Sequence, residues 1–202
     1  MFDDLMRRFK EFMLLPLARL FVRVPPASLT LVSLLFGLVT AVLAWQQLYW
    51  WAVLGWSLNR IFDGLDGVVA RLSGNQSDFG GYLDIVLDFV IYAAVPIGLV
   101  AGEPNEQRWL LLALLLGSFY VNGVSWTYLA AILEKRQHGA AARAEETTIT
   151  MPNGIVGGFL TIVFFYAFLI LPFWLDYLFV LMSGLVLLGV IQRLFWARRH
   201  LD

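Results

Sequence analysis

Four aspartates at helical spacing are the residues of this chain whose types and positions could do chemistry. Asp63 and Asp66 lie three residues apart, and Asp84 and Asp88 lie four apart, so each pair occupies one face of its helix. All four stand in otherwise apolar segments, where an uncompensated carboxylate is costly. Because like charges at close range disfavour joint ionisation, protons or divalent cations must accompany the cluster.

The chain offers few other metal ligands. It contains no cysteine and two histidines, His138 and His200. The missing cysteines exclude disulfides, thiolate catalysis, zinc fingers and iron–sulfur clusters. Oxygen ligands alone favour a hard cation, Mg²⁺ or Mn²⁺. Four carboxylates could hold two such ions, as in two-metal phosphoryl transfer.

The two aspartate pairs are expected at matching depth. The polar residues 72–78 (LSGNQSD) predict a short turn, so the helices on either side of it are antiparallel neighbours. At a rise of about 1.5 Å per residue, Asp66 and Asp84 lie about 7.5 Å from the turn, and Asp63 and Asp88 about 12 to 13.5 Å. The spacing therefore predicts a single acidic site.

The composition indicates that membrane helices position these residues. Of 202 residues, 60% are hydrophobic and 14% are charged, against about 25% charged in a soluble domain. The net charge of −1 excludes nucleic acid as a partner. A spanning helix needs about 20 mostly apolar residues, and six windows qualify: 27–45, 48–71, 79–100, 109–133, 155–171 and 175–196.

We therefore predict an all-α integral membrane protein with six transmembrane helices and an N-terminal amphipathic interfacial helix. Residues 3–23 alternate charged residues with Phe, Leu and Met, which is typical of a helix in the membrane interface. Their early acidic residues argue against a signal peptide. The chain is expected to form one membrane domain over 1–202, with the interfacial helix at 1–26 and the six-helix bundle at 27–197.

Basic residues are concentrated on one side of this bundle. With both termini inside, the inner side receives the basic residues of the N-terminal segment, of the loop near 134–151 and of the C-terminal end, whereas Arg108 alone borders an outer connection. The positive-inside rule then places both termini and the aspartates towards the cytoplasm. We expect a bacterial inner (cytoplasmic) membrane location.

The aspartates belong to a longer pattern. It reads Asp63-x-x-Asp66-Gly67-x-x-Ala70-Arg71, then eight residues, Gly80, three residues, Asp84, three residues and Asp88. This pattern resembles the signature of the CDP-alcohol phosphatidyltransferase family. All eight fixed positions are present. The resemblance implies an enzyme of phospholipid synthesis that moves a phosphatidyl group from a CDP-linked lipid, CDP-diacylglycerol in the first place, to an alcohol acceptor with release of CMP.

The resemblance also implies roles for the motif carboxylates. Asp63, Asp66 and Asp84 would be ligands of two divalent cations, Mg²⁺ or Mn²⁺. Asp88 would take the proton from the incoming hydroxyl and would also touch a metal ion. Homodimer formation is implied by the same resemblance alone.

The remaining motif residues would bind the CDP donor. Gly67, Ala70 and Gly80 would line the cytidine–pyrophosphate pocket, since larger side chains there would collide with the nucleotide; close helix packing is the alternative. Arg71 would contact a phosphate, or would extend to the membrane edge as an anchor. Thr30 resembles a polar position near the donor nucleotide, although a hydroxyl bonded within its own helix explains it as well.

The acceptor is less constrained by the sequence. A phosphorylated alcohol would need a basic pocket, for which Lys135, Arg136, Arg143 and Arg193 are the weak candidates; positive-inside charges facing lipid headgroups are the alternative for each. Some similar family members carry glutamates at the start of span five, where residues 151–161 here contain no acid. This departure leaves the acceptor open.

Intramembrane acids are also typical of transporters and channels, in which they conduct protons or cations. The four acids here cluster at one shallow site, and spans four to six show no charged step continuing outward. A calcium loop is disfavoured because the segment around Asp63 lacks the alternating acids of an EF-hand. The transferase is therefore the preferred hypothesis and the transporter the alternative.

Overall fold

The computed structural model describes residues 13–136 and 157–201, and every regular element within them is helical. A helical segment at 13–21 is followed by six helices, with a short 3₁₀ turn, Pro172–Trp174, before the last. The helices are α1 (Pro26–Trp45), α2 (Tyr49–Ser73), α3 (Asp78–Gly102), α4 (Glu106–Lys135), α5 (Gly158–Ile170) and α6 (Leu175–Leu201).

Each helix coincides with one predicted window, which confirms the all-α membrane architecture. Four helices are long and apolar enough to cross a membrane: α1, α3, α4, and α6 with its preceding turn. Helix α2 has the length, but polar and charged residues in its C-terminal half lower its hydropathy. Helix α5 has 13 residues, and the predicted start of its span at 155 lies outside the described residues. The described chain thus contains four clear candidate spans rather than six.

The chain forms two compact units. The first extends to Asn105 and includes Phe165–Pro172; the second comprises Glu106–Phe164 and Phe173 onwards. In the first unit, α1 packs against both α2 and α3. In the second, α4 packs against α6.

Glycines allow α1 to approach its neighbours closely. A Cβ at Gly98 of α3 would overlap the carbonyl of Ala41 in α1. A Cβ at Gly55 of α2 would lie 2.7 Å from the Thr40 hydroxyl of α1. Because real side chains do not tolerate such contacts, these positions exclude larger residues, and the backbones of α2 and α3 are held against α1.

The turn between α2 and α3 reverses the chain, so these helices run antiparallel, as the sequence predicts. They are not the packing neighbours that the sequence also predicts, because each packs against α1 and they have little direct contact. Gly74 ends α2 with a left-handed φ of 68°, which glycine adopts at little cost. The backbone N–H of Asn75 donates to the carbonyl of Ala70 over 3.0 Å. Ser77 caps α3 by accepting from the N–H of Gly80 over 3.0 Å. The two aspartate pairs therefore extend away from one turn.

The segment 13–21 has two apolar faces. Ala18 and Phe21 pack with Leu65 and Val69 of α2 in a buried cluster, whereas Leu20 is exposed. Residues 1–12, which complete the predicted interfacial helix, lie outside the described residues. The described part is therefore a helix attached to α2.

Candidate active site

Three of the four predicted aspartates face one cleft. The cleft lies between α1, α2 and α3 and contains about 180 Å³ of space, part of which is open to solvent. Its lining residues are Thr30, Ser33, Leu34, Asn59, Asp63, Asp84, Leu87, Asp88 and Ile91. Asp63 comes from α2, and Asp84 and Asp88 come from α3. Both helices pack against α1, so α1 brings the two halves of the motif to one cleft.

Asp66, the fourth aspartate, is buried and bonded to α1. The hydroxyl of Thr30 lies 2.7 Å from its Oδ2 and 3.2 Å from the carbonyl oxygen of Pro26. The contact with Pro26 is the bond within its own helix that the sequence allowed, and the contact with Asp66 was not predicted. The shorter contact joins α1 to the acidic site.

A second cross-link between α1 and α2 forms the floor of the cleft. The side-chain amide of Asn59 donates to the carbonyl of Ser33 over 2.8 Å and to its hydroxyl over 2.9 Å. The Ser33 hydroxyl lies 3.1 Å from the carbonyl of Asn59. These buried bonds satisfy polar groups that could not otherwise be placed among apolar helices.

Asp88 is held by two side chains. Nη2 of Arg60 lies 2.8 Å from its Oδ1, and the hydroxyl of Tyr92 donates to its Oδ2 over 3.0 Å. Arg60 also lies 3.7 Å from Oδ2 of Asp63. Arg60 is therefore paired with two of the four aspartates.

Aromatic rings enclose the Arg60 guanidinium. Its central carbon lies 4.6 Å from the ring centroid of Trp56 and 5.7 Å from that of Tyr92. Phe165 contacts both rings, at centroid separations of 4.8 Å and 5.4 Å. A buried cation is stabilised by such faces, so the charge is placed beside the acids without exposure to water.

Small motif residues leave the surface of α2 accessible. A Cβ at Gly67 would meet only the guanidinium of Arg71, 3.4 Å away on the same helix. A Cβ at Gly80 would lie 3.1 Å from the Ser77 hydroxyl. Ala70 is half-buried and Arg71 is exposed. Gly67 is therefore not needed for contact with another helix, which favours the ligand-access interpretation at that position.

The predicted acceptor residues have different surroundings. Arg193 is buried in the second unit, where its Nη1 lies 3.2 Å from Oδ1 of Asn122 and 3.1 Å from the hydroxyl of Ser125. Its Nε is buried and has no hydrogen-bond partner. Lys135 and Arg136 are exposed at the end of α4. Arg143 and the segment 151–156 lie outside the described residues.

The acidic side chains that line the cleft could bind a hard cation, because their carboxylate oxygens are the ligands that such cations prefer. As the side chains stand, no group of three or more Asp, Glu, His or Cys residues within 13–136 and 157–201 is arranged to hold a metal ion. Binding would thus require the carboxylates of Asp63 and Asp84 to turn about their side-chain torsions, since Asp88 is held by two bonds.

Tyr92, Trp56 and Ser33 were not identified from the sequence. Tyr92 could have been found, since it lies four residues after Asp88 and so shares its helix face. Trp56 precedes Arg60 by the same interval. The partnership of Ser33 with Asn59 has no local signal, because 26 residues separate the two.

Comparison with known proteins matches the CDP-alcohol phosphatidyltransferase family model over residues 23–192. The inner membrane protein YnjF of Escherichia coli is 36% identical over 75% of this chain and 72% of its own length. Phosphatidylinositol phosphate synthase of Corynebacterium glutamicum is 30% identical over 70% of this chain and 61% of its own length. The crystal structure of Mycobacterium tuberculosis phosphatidylinositol phosphate synthase with CDP-DAG bound shares the fold, with a TM-score of 0.69 and 20% identity over 93% of this chain and 92% of that one.

Proposed function

Since the chain belongs to the CDP-alcohol phosphatidyltransferase family, we propose that the cleft between α1, α2 and α3 is its active site. The protein is an integral membrane transferase of phospholipid synthesis that uses a CDP-linked lipid donor. The observation that carries the proposal is the convergence of Asp63, Asp84 and Asp88 on one cleft.

The donor is CDP-diacylglycerol in this proposal. The solved structure of the same fold has CDP-DAG bound, which supports the assignment. Gly67, Ala70 and Gly80 line the path of the cytidine diphosphate, and Arg71 contacts a phosphate. The open surface at Gly67 supports this placement, because a nucleotide can approach the backbone there without displacing a neighbouring helix.

Two divalent cations, Mg²⁺ or Mn²⁺, would be held by Asp63, Asp66, Asp84 and Asp88. When bound, such ions offset the negative charge of the diphosphate and so lower the barrier to attack. Asp66 stays anchored to α1 through Thr30, and Asp88 stays held by Arg60 and Tyr92, while Asp63 and Asp84 would turn towards the ions.

Asp88 acts as the base. Its carboxylate takes the proton of the acceptor hydroxyl while the hydroxyl oxygen bonds to the lipid-linked phosphorus and the bond from that phosphorus to CMP breaks. A quarter of its side chain is exposed, which supports this role, because the acceptor must reach the carboxylate.

The acceptor is an alcohol, and a phosphorylated one if the basic residues bind it. Arg193 is the best supported of these because it is buried with an unpartnered Nε. Lys135, Arg136 and Arg143 remain weaker candidates. Polar partners on Asn122 and Ser125 would orient Arg193 towards an anion.

The whole chain forms one membrane domain in this proposal, with α1 to α6 as six spans and the N-terminal helix in the interface. Both termini and the cleft face the cytoplasm of a bacterial cell, which the distribution of basic residues supports. A homodimer is proposed from the family resemblance.

The test uses the full chain in membranes or detergent. Labelled CDP-diacylglycerol, Mg²⁺ or Mn²⁺ and a panel of free and phosphorylated alcohols are supplied, and CMP release and the lipid product are measured. We expect CMP release that requires both the metal and one class of acceptor. Absence of release with every acceptor, together with ion flux in proteoliposomes that depends on Asp63, would support the transporter alternative instead.

A further inference from the structure

We propose that Arg60 and Tyr92 are positioning residues that fix the orientation of the Asp88 carboxylate towards the acceptor hydroxyl. The inference rests on the proposed role of Asp88 as the base. It extends the site beyond the eight motif positions to two residues that act through Asp88 and not on the substrate.

Both carboxylate oxygens of Asp88 are engaged. Oδ1 lies 2.8 Å from Nη2 of Arg60, and Oδ2 accepts from the Tyr92 hydroxyl over 3.0 Å. Nη1 of Arg60 donates to the same Tyr92 hydroxyl over 3.3 Å. The three groups thus close a ring, and because each oxygen has its own partner, rotation of the carboxylate would break two bonds at once.

Arg60 is itself immobilised. Its Nε donates to Oδ1 of Asn59 over 2.7 Å, and its guanidinium lies over the Trp56 ring. Trp56 is buried and stacks on Phe165. A planar guanidinium can make these contacts together because its donors point in fixed directions, which a lysine ammonium cannot reproduce.

The Asp88 carboxylate is held on one side and exposed on the other. The Arg60 side chain is 8% exposed and the Asp88 side chain 25% exposed. Arg60 and Tyr92 therefore hold the carboxylate from the protein side, and the remaining exposed surface of Asp88 faces the cleft that it lines. A reacting group displaced by about 1 Å can lose about 100-fold in rate, so a fixed carboxylate matters for turnover more than for donor binding.

The test compares Arg60→Gln and Tyr92→Phe with the unmodified enzyme at saturating Mg²⁺. We expect Arg60→Gln to lower kcat by about 100-fold, with little change in the KM for CDP-diacylglycerol. Tyr92→Phe, which removes one hydroxyl and keeps the ring, should lower kcat by less. Arg60→Lys should recover part of the loss by restoring the charge. Arg108→Gln is the matched control, because Arg108 pairs with Asp176 in the second unit over 3.0 Å, and it should keep the original kcat.

A second readout does not depend on turnover. Arg60→Gln leaves a buried carboxylate without its cation, so its Tm should fall, and adding Asp88→Asn should recover part of that fall. Equal Tm losses with and without the Asp88 carboxylate would overturn the contact. Full kcat in Arg60→Gln and Tyr92→Phe, or a loss confined to KM, would overturn the positioning role. If the unmodified enzyme itself releases no CMP, the proposed function fails instead.

Discussion

The Thr30 hydroxyl of α1 lies 2.7 Å from the Asp66 carboxylate of α2, 36 residues further along the chain. This bond joins a helix outside the family motif to the most buried of the four aspartates. Together with the paired bonds between Ser33 and Asn59, it makes α1 a wall of the cleft. The lining of the cleft therefore depends on the register of α1 against α2 as well as on the motif.

Replacing Thr30 with valine should weaken the attachment of α1 to α2. Thr30→Val keeps the shape of the side chain and removes the hydroxyl, so Asp66 loses a buried donor at a cost of about 1–3 kcal/mol. We expect a lower Tm and reduced CMP release. Thr30→Ser keeps the hydroxyl and serves as the control. Equal Tm values for the valine and serine variants would show that the bond contributes nothing.

Removing the base should separate chemistry from donor binding. Asp88→Asn keeps the size of the side chain but cannot accept the acceptor proton, so turnover should fall by about 10²–10⁴-fold. Binding of CDP-diacylglycerol, measured by titration of the purified protein, should stay largely intact. Normal turnover in this variant would refute the role of Asp88 as base.

Enlarging Gly67 should block the donor without damaging the fold. A Cβ there would meet only the end of Arg71, a flexible group that can move. Gly67→Leu should therefore keep its Tm and raise the KM for CDP-diacylglycerol strongly. Gly117→Leu is the control, since nothing lies within 4 Å of a Cβ there. An unchanged KM would return Gly67 to a packing role.

Enlarging Gly98, in contrast, should destabilise the fold. A methyl group there would overlap the backbone of Ala41, which cannot yield as a side chain can. Gly98→Ala should lower stability by about 1–3 kcal/mol through overpacking. Gly117→Ala, in open space on a helix, should be neutral or should stabilise the fold by up to about 1 kcal/mol. Thermal unfolding in detergent measures both, and equal Tm values would contradict the close approach of α1 and α3.

Chelation should stop the reaction reversibly. EDTA is expected to abolish CMP release because the carboxylates of the cleft repel a diphosphate unless cations offset their charge. Mg²⁺ or Mn²⁺ added in excess should restore it. Release that persists after thorough chelation would contradict the metal requirement.

The sequence alone determined the helical class, the approximate bounds of six helices and the opposite directions of the two aspartate segments. These follow from local properties: runs of apolar residues, spacings of three and four, and a polar turn containing the glycine that ends α2. It also identified the family, because the motif lies within residues 63–88.

The tertiary structure decided which residues surround the aspartates. Thr30 reaches Asp66 across 36 residues, Arg60 reaches Asp88 across 28, and Tyr166 reaches Ser57 across 109. It also showed that the described part of α5 is 13 residues long, where an apolar window had predicted a span. Local periodicity shows which face of a helix is polar, but the partner of that face depends on how closely the backbones approach. In this chain glycines such as Gly55 and Gly98 set that approach, through their contacts with α1.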